Sequence, residues 1–213
     1  MRELSDLAGV PSAVSGASAV LVRAPGLHDD RENACTTLSL AGGPTGVVAV
    51  TYRGTAAEWL DRLRGHRNSP RLVTVVTVGD ALGTTEATEA SGTVVRRVEN
   101  PDDLTGLEIT VGEAIAALPD GPSTLCFDSL TALLQYAEVE EAYRLLHPLV
   151  ERLHAAGVVG HFHVDPVALE DQDLAALTGL FDAVVELGDG AVEVRTSTGV
   201  GPDDGDADGG DDG

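Results

Sequence analysis

The sequence predicts an α/β fold: a mainly parallel central sheet with helices on both faces and a hairpin at its C-terminal end. Two observations carry this. Short apolar runs alternate with stretches of helical spacing along most of the chain, as strands joined by covering helices do. The run Ser123-Thr124-Leu125-Cys126-Phe127-Asp128-Ser129 also ends abruptly in Asp-Ser before helical spacing resumes at Leu130. That is how a buried parallel strand opens into a helix. Asp128 is thereby placed at the carboxyl end of a strand, the edge at which open α/β sheets bind ligands.

Taken in order, Ala19 to Val22 is a first strand, followed by a turn at Pro25-Gly26 and a helix from about Arg31 to Leu40. Val47 to Tyr52 is a second strand, and Ala56 to Leu63 a helix with the only tryptophan, Trp59. Leu72 to Val78 is a third strand, Gly79 to Gly92 a low-complexity loop, and Thr93 to Val98 a further strand. Asn100-Pro101-Asp102-Asp103-Leu104 reads as a turn and Val111 to Leu118 as a helix. After the Asp128 strand, Val139 to Ala155 is helical, with Leu145, Leu146, Leu149, Val150 and Leu153 on one stripe. Pro148 lies inside that pattern and is expected to kink or divide it. Gly157 ends it, and Val158 to Val164 is the next strand. A helix from about Asp171 to Thr178 leads to Asp182–Leu187 and, across Gly188-Asp189-Gly190, to Ala191–Arg195, a terminal hairpin. From Gly199 only Gly, Asp, Pro, Val and Ala remain. Residues 1–198 therefore read as one domain, and 199–213 as an acidic Gly/Asp tail expected to be disordered.

Charge narrows the setting and the partners. Acids outnumber basic residues 35 to 13, the net charge is −22, and there is no lysine. Such a surface repels itself in dilute buffer, whereas at about 1 M salt the screening length falls to roughly 3 Å. A salt-loaded, halophilic cytoplasm is the setting that suits it. No arginine cluster exceeds Arg96-Arg97, so the counterion-displacing face that nucleic acids require is missing. The apolar runs are too short to span a bilayer, and Met1-Arg2-Glu3-Leu4-Ser5-Asp6 lacks a signal-peptide core. Neither nucleic acid nor membrane is expected as a partner. Cys35 and Cys126 form no ligand spacing and read as separate buried thiols rather than as a disulfide or a metal site.

The order of several phrases resembles a known group. The turn at Pro25-Gly26, Leu125-Cys126-Phe127-Asp128-Ser129, Val158-Val159-Gly160-His161-Phe162 and Phe181-Asp182-Ala183-Val184-Val185-Glu186-Leu187 follow one another as in RecA-type, KaiC-like domains. The chain is most similar to the haloarchaeal, HTR-like members, in which phrases like Asn100-Pro101-Asp102-Asp103-Leu104-Thr105, Asp128-Ser129-Leu130-Thr131 and His161-Phe162-His163-Val164-Asp165 recur. The resemblance covers nearly everything before the tail and implies a RecA-like P-loop NTPase fold.

It also implies chemistry that this chain does not carry. A working P-loop needs glycines that cradle phosphates, a lysine for the terminal phosphates and Ser or Thr for magnesium. The corresponding Arg23-Ala24-Pro25-Gly26-Leu27-His28-Asp29-Asp30 keeps Pro-Gly and places acids where Lys and Ser or Thr belong. Family enzymes carry acids just after the second strand to activate water, where this chain has Tyr52-Arg53-Gly54. The candidate degenerate nucleotide cleft is then Pro25, Gly26, Asp29, Asp30, Asp128 and Ser129. Asp128 is either a Walker-B-like ligand for magnesium-bound water or an acid that caps the following helix or fixes Ser129. Asp29 and Asp30 are equally consistent with acids at a helix start.

A rival chemistry lies in His161, His163 and Asp165, which point to one side of a strand as metal ligands do. His147 and His154 share a face of the preceding helix. The bland alternative has the histidines hydrogen-bonded at the sheet edge and Asp165-Pro166 in a turn. The expectation is a module without catalytic residues or a cofactor, which acts through protein partners or as a homo-oligomer. An ATP- and magnesium-binding remnant, and a metal-dependent hydrolase on the His161 strand, are the alternatives.

Overall fold

The computed structural model describes residues 9–25, 31–64, 69–79, 92–188 and 191–196. Its strands are β1 (Ala19–Arg23), β2 (Gly46–Thr51), β3 (Leu72–Val78), β4 (Thr93–Val98), β5 (Ser123–Asp128), β6 (Val158–Val164), β7 (Ala183–Gly188) and β8 (Ala191–Thr196). They form a single sheet in the order β4-β3-β2-β5-β6-β1-β7-β8. Every pairing is parallel except β7 with β8, the predicted hairpin. Helices are α1 (Val10–Ala13), α2 (Arg31–Leu40), α3 (Ala56–Arg64), α4 (Leu104–Ala116), α5 (Leu130–Leu133), α6 (Val139–Ala156) and α7 (Asp171–Thr178). A 3-10 turn spans Pro166–Ala168. The predicted α/β architecture is therefore the observed one.

Period two divides the strand side chains between two layers. On the first face Leu21, Val48, Val50, Leu125, Phe127, Phe162 and Val164 pack under α4, α6 and α7. The rings of Phe127, Phe162 and Phe181 follow one another at centroid distances of 5.8 and 5.1 Å. On the second face Val47, Ala49, Val73 and Val75 meet Trp59 and Leu63 of α3, and Val20 and Val22 meet α1 and α2. Helices thus cover both faces, and the central strands β1, β2 and β3 read as continuous apolar runs because neither of their faces meets water.

Two helix expectations change. Helix α4 starts at Leu104 rather than Val111, because Asp103 caps it by accepting the Gly106 N–H at 2.8 Å. The residues read as a turn are the cap itself, and Gly106 and Thr110 hide the helical pattern in its first turns. Helix α6 runs unbroken through Pro148 from Val139 to Ala156. The carbonyl that loses its donor belongs to the exposed Arg144, where water can serve it. The buried Leu145, Leu146, Leu149 and Leu153 hold the stripe on both sides of the proline. The helix ends as expected at Gly157, whose φ of 64° is the left-handed cap conformation glycine adopts without strain.

The cysteines are also corrected. Cys35 on α2 and Cys126 on β5 are joined as a disulfide with Cα atoms 6.2 Å apart, across 91 residues of sequence. They meet because α2 crosses the second face over β5 and β6.

Candidate functional site

The carboxyl edge of β1, β2 and β5 is where the sheet would place a ligand. Thr51 and Asp128 are register partners at the ends of β2 and β5, and the Asp128 carbonyl accepts the Tyr52 N–H at 3.0 Å. The peptide from Asp128 to Ser129 is cis. Ser129 is fully buried and its Oγ accepts the Ala132 N–H at 3.3 Å, so the residue that caps α5 is Ser129 rather than Asp128. Asp128 is half-buried. Pro25 is half-buried two residues beyond β1, whereas Gly26, Asp29 and Asp30 lie outside the described residues.

The groups around this edge are already engaged. Arg23, at the end of β1, gives its guanidinium to Glu186 at 2.8 Å. The Thr51 hydroxyl donates to the Arg53 carbonyl. Tyr52 turns its ring into the first-face core, 6.1 Å from Phe127 and 6.2 Å from Tyr136 in a stack. Burial, with Tyr136 beside it, raises its phenol well above the usual tyrosine range. Tyr52 Oη is buried without a hydrogen-bond partner. This phenol stays protonated at any working pH and has no route to act as a base toward water.

A second group of reactive side chains lies under α2. His161 and His163 are on the second face of β6, both buried. Register places His161 beside Cys126 and His163 beside Asp128. The Sγ atoms of Cys35 and Cys126 and a ring nitrogen of His163 all lie within 4.8 Å of one another. Burial, reinforced by the neighbouring His163, holds the His161 imidazole neutral down to about pH 3, against a hydrogen bond to the Leu125 backbone that works the other way. Its Nδ1 is buried without a hydrogen-bond partner. The helix is tied down by a further buried contact, the Thr124 hydroxyl donating to the Ser39 carbonyl at 2.7 Å. Four residues of helix rise about 6 Å and two of strand about 6.6 Å. Cys35 and Ser39 therefore match Cys126 and Thr124 as two rungs of one ladder.

The predicted set His161, His163 and Asp165 is placed differently by the structure. Asp165 sits past the strand end, where its carboxylate accepts the Val167 N–H at 3.0 Å and caps the 3-10 turn. His147 and His154 are on α6, on the first face, with His147 set against the Tyr143 ring at 5.9 Å. Cys35 and Cys126 stand with His163 instead, and sequence reasoning missed that. The available signal was period two: Cys126 faces away from Leu125 and Phe127, toward whichever helix crosses after β1.

Comparison with known proteins places this geometry. The structure is similar to that of a Pyrococcus horikoshii OT3 protein solved as the structural study of project PH0250, with a TM-score of 0.58 and 18% identity over 85% of this chain and 87% of that one. It is also similar to the flagellar accessory protein FlaH from Methanocaldococcus jannaschii, with a TM-score of 0.55 and 12% identity over 87% of this chain and 80% of that one. Both have RecA-like folds, and this chain shares that fold; its sequence contains no lysine. It belongs to the Family of unknown function (DUF7504), whose model matches residues 17–187. No curated protein matches it in sequence. Among the described residues no helix is long and apolar enough to cross a membrane.

Proposed function

We propose that this chain is a RecA/KaiC-like regulatory or scaffolding module, of the haloarchaeal HTR-like type, that engages a protein partner or further copies of itself without hydrolysing nucleotide. The observation that carries this reading is the end of β2. Where family enzymes set an acid to activate water, Tyr52 is packed against Phe127 and Tyr136, with its phenol protonated. A half-buried ring packed against the core there supplies neither a base nor a metal ligand. The sequence before α2 agrees, with Asp29 and Asp30 at positions where triphosphate needs positive charge. Arg23, the arginine of that stretch, is neutralised by Glu186. RecA-type folds assemble through surfaces beside the nucleotide cleft, and such a surface outlasts the loss of the chemistry; this step is an analogy of fold.

The test is ATP and ADP titration by calorimetry in molar potassium chloride with magnesium, alongside a hydrolysis assay and sedimentation. Expected are no turnover, no binding that Asp128→Ala abolishes, and a species heavier than the monomer or a stable complex recovered from native salt. Magnesium-dependent turnover lost in Asp128→Ala overturns the non-catalytic reading. A strictly monomeric protein that recovers no partner overturns the scaffold.

A further inference from the structure

The interface between α2 and the sheet is polar where its neighbours are apolar. Cys35, Cys126, His161, His163, Thr124 and Ser39 share a layer whose flanks are Val47, Ala49 and Val75 on one side and Val20 and Val22 on the other. Thr124 is accounted for by its bond to Ser39. Two thiol-bearing residues and two imidazoles lie beside it, at or below 3% exposure.

We propose that, with the disulfide reduced, Cys35 Sγ, Cys126 Sγ and a ring nitrogen of His163 bind one thiophilic divalent cation of the zinc type, and that His161, which lies outside that triangle, turns in to complete its tetrahedron. The three ligand atoms converge from α2, β5 and β6 and already lie within 4.8 Å of one another. Zinc–sulfur bonds of about 2.3 Å and zinc–nitrogen bonds of about 2.0–2.1 Å set ligand–ligand edges of roughly 3.3–3.8 Å. The sulfur–nitrogen edges, at most 4.8 Å, close toward those values, while the Sγ–Sγ edge opens from bonding distance once the disulfide is reduced; both are side-chain adjustments. His161 is the register neighbour of Cys126 on the same face, and its Nδ1 is buried with no partner. Thiolate and imidazole donors without a carboxylate select zinc-like ions over magnesium or calcium. Asp165 is turned to its own cap, and Asp128, the register partner of His163, is the acid beside the set.

The same two sulfurs make the disulfide, so cross-link and cation are alternative occupants. Opening the S–S bond takes two electrons and yields two thiols; a water-soluble phosphine supplies the electrons and leaves as its oxide, with oxygen from water. The cation then displaces the two thiol protons. In both states α2 stays bound to the strand that ends in Asp128.

The test uses the full chain, purified without a histidine tag, in molar potassium chloride so that potassium competes with cobalt for the acidic surface. After phosphine reduction, cobalt(II) is titrated in and zinc is added last. Expected are one equivalent of cobalt, the visible bands of a tetrahedral site with a thiolate-to-cobalt charge-transfer band, and loss of both on zinc addition. The unreduced protein should give no such signal. Cys126→Ser should remove most of the charge-transfer intensity, and His163→Gln should weaken binding at least about tenfold. Should those variants not fold, alkylation of the reduced wild type decides: zinc should slow modification of both cysteines at least about tenfold. Reduced wild type that binds under a tenth of an equivalent, or shows a weak octahedral spectrum without the thiolate band, overturns the proposal. Alkylation at a rate unaffected by zinc does the same.

Discussion

The two faces of β5 and β6 are made by the same thirteen residues and could hardly differ more. One face presents Phe127 and Phe162, stacked and continued by Phe181 beneath α6 and α7. The other presents Cys126, His161 and His163 beneath α2. Apolar rings gain by leaving water, whereas buried imidazoles lose their hydration and recover it only through specific partners. The first face therefore holds the fold together, while the second holds a set of reactive groups in place. A single strand does both because its period is two.

Truncating the first face should have the largest effect. Phe162→Ala leaves a cavity among Phe127, Phe181 and the leucines of α6, and should cost about 3–5 kcal/mol in denaturant unfolding, with or without reductant. The second face should instead respond to redox state. Reducing the disulfide in the presence of chelator releases a loop closed across 91 residues and should cost about 2–4 kcal/mol in the same measurement. An equal loss in the two redox states for Phe162→Ala, together with a loss in Cys35→Ser that appears only without reductant, would sharpen the contrast. The ladder's other rung is smaller: Thr124→Val leaves the Ser39 carbonyl without its donor and should cost about 1 kcal/mol. Smallest should be His161→Leu in the metal-free protein. An apolar side chain of similar volume removes a buried imidazole, and the change should stay within about 1 kcal/mol in either direction. A loss of 3 kcal/mol or more, roughly that of a core aromatic, would break the contrast, because the second face would then be structural as well.

Legibility in the sequence follows the range over which each feature is determined. Strands such as Leu72–Val78 and Thr93–Val98, and helices such as Arg31–Leu40, are set by local periodicity and are found where expected. Asp128 was placed at a strand end because an apolar run stops there. The start of α4 was not legible, because a cap followed by Gly106 looks like a loop until its hydrogen bond is seen. Nor was the continuity of α6, which long-range packing of Leu145, Leu149 and Leu153 enforces across Pro148. The grouping of Cys35, Cys126 and His163 is the least local feature. It requires that β5 and β6 be neighbours and that α2 cross both, facts of strand order on which residue spacing is silent.

Strand order also governs how copies of this protein can meet. Among the described residues the sheet is open, with β4 at one end and β8 at the other, and a sheet end is where another molecule's strand could bond. Both ends are guarded by charge: β4 carries Arg96 and Arg97, and β8 carries the exposed Glu193 and Arg195. Adding a strand from a second molecule would require these charged side chains, among them the ion-paired Arg96, to shed water. Runaway, fibre-like growth by sheet continuation is thereby disfavoured. Any ordered assembly has to be built from helix and loop surfaces, whose geometry can close on itself.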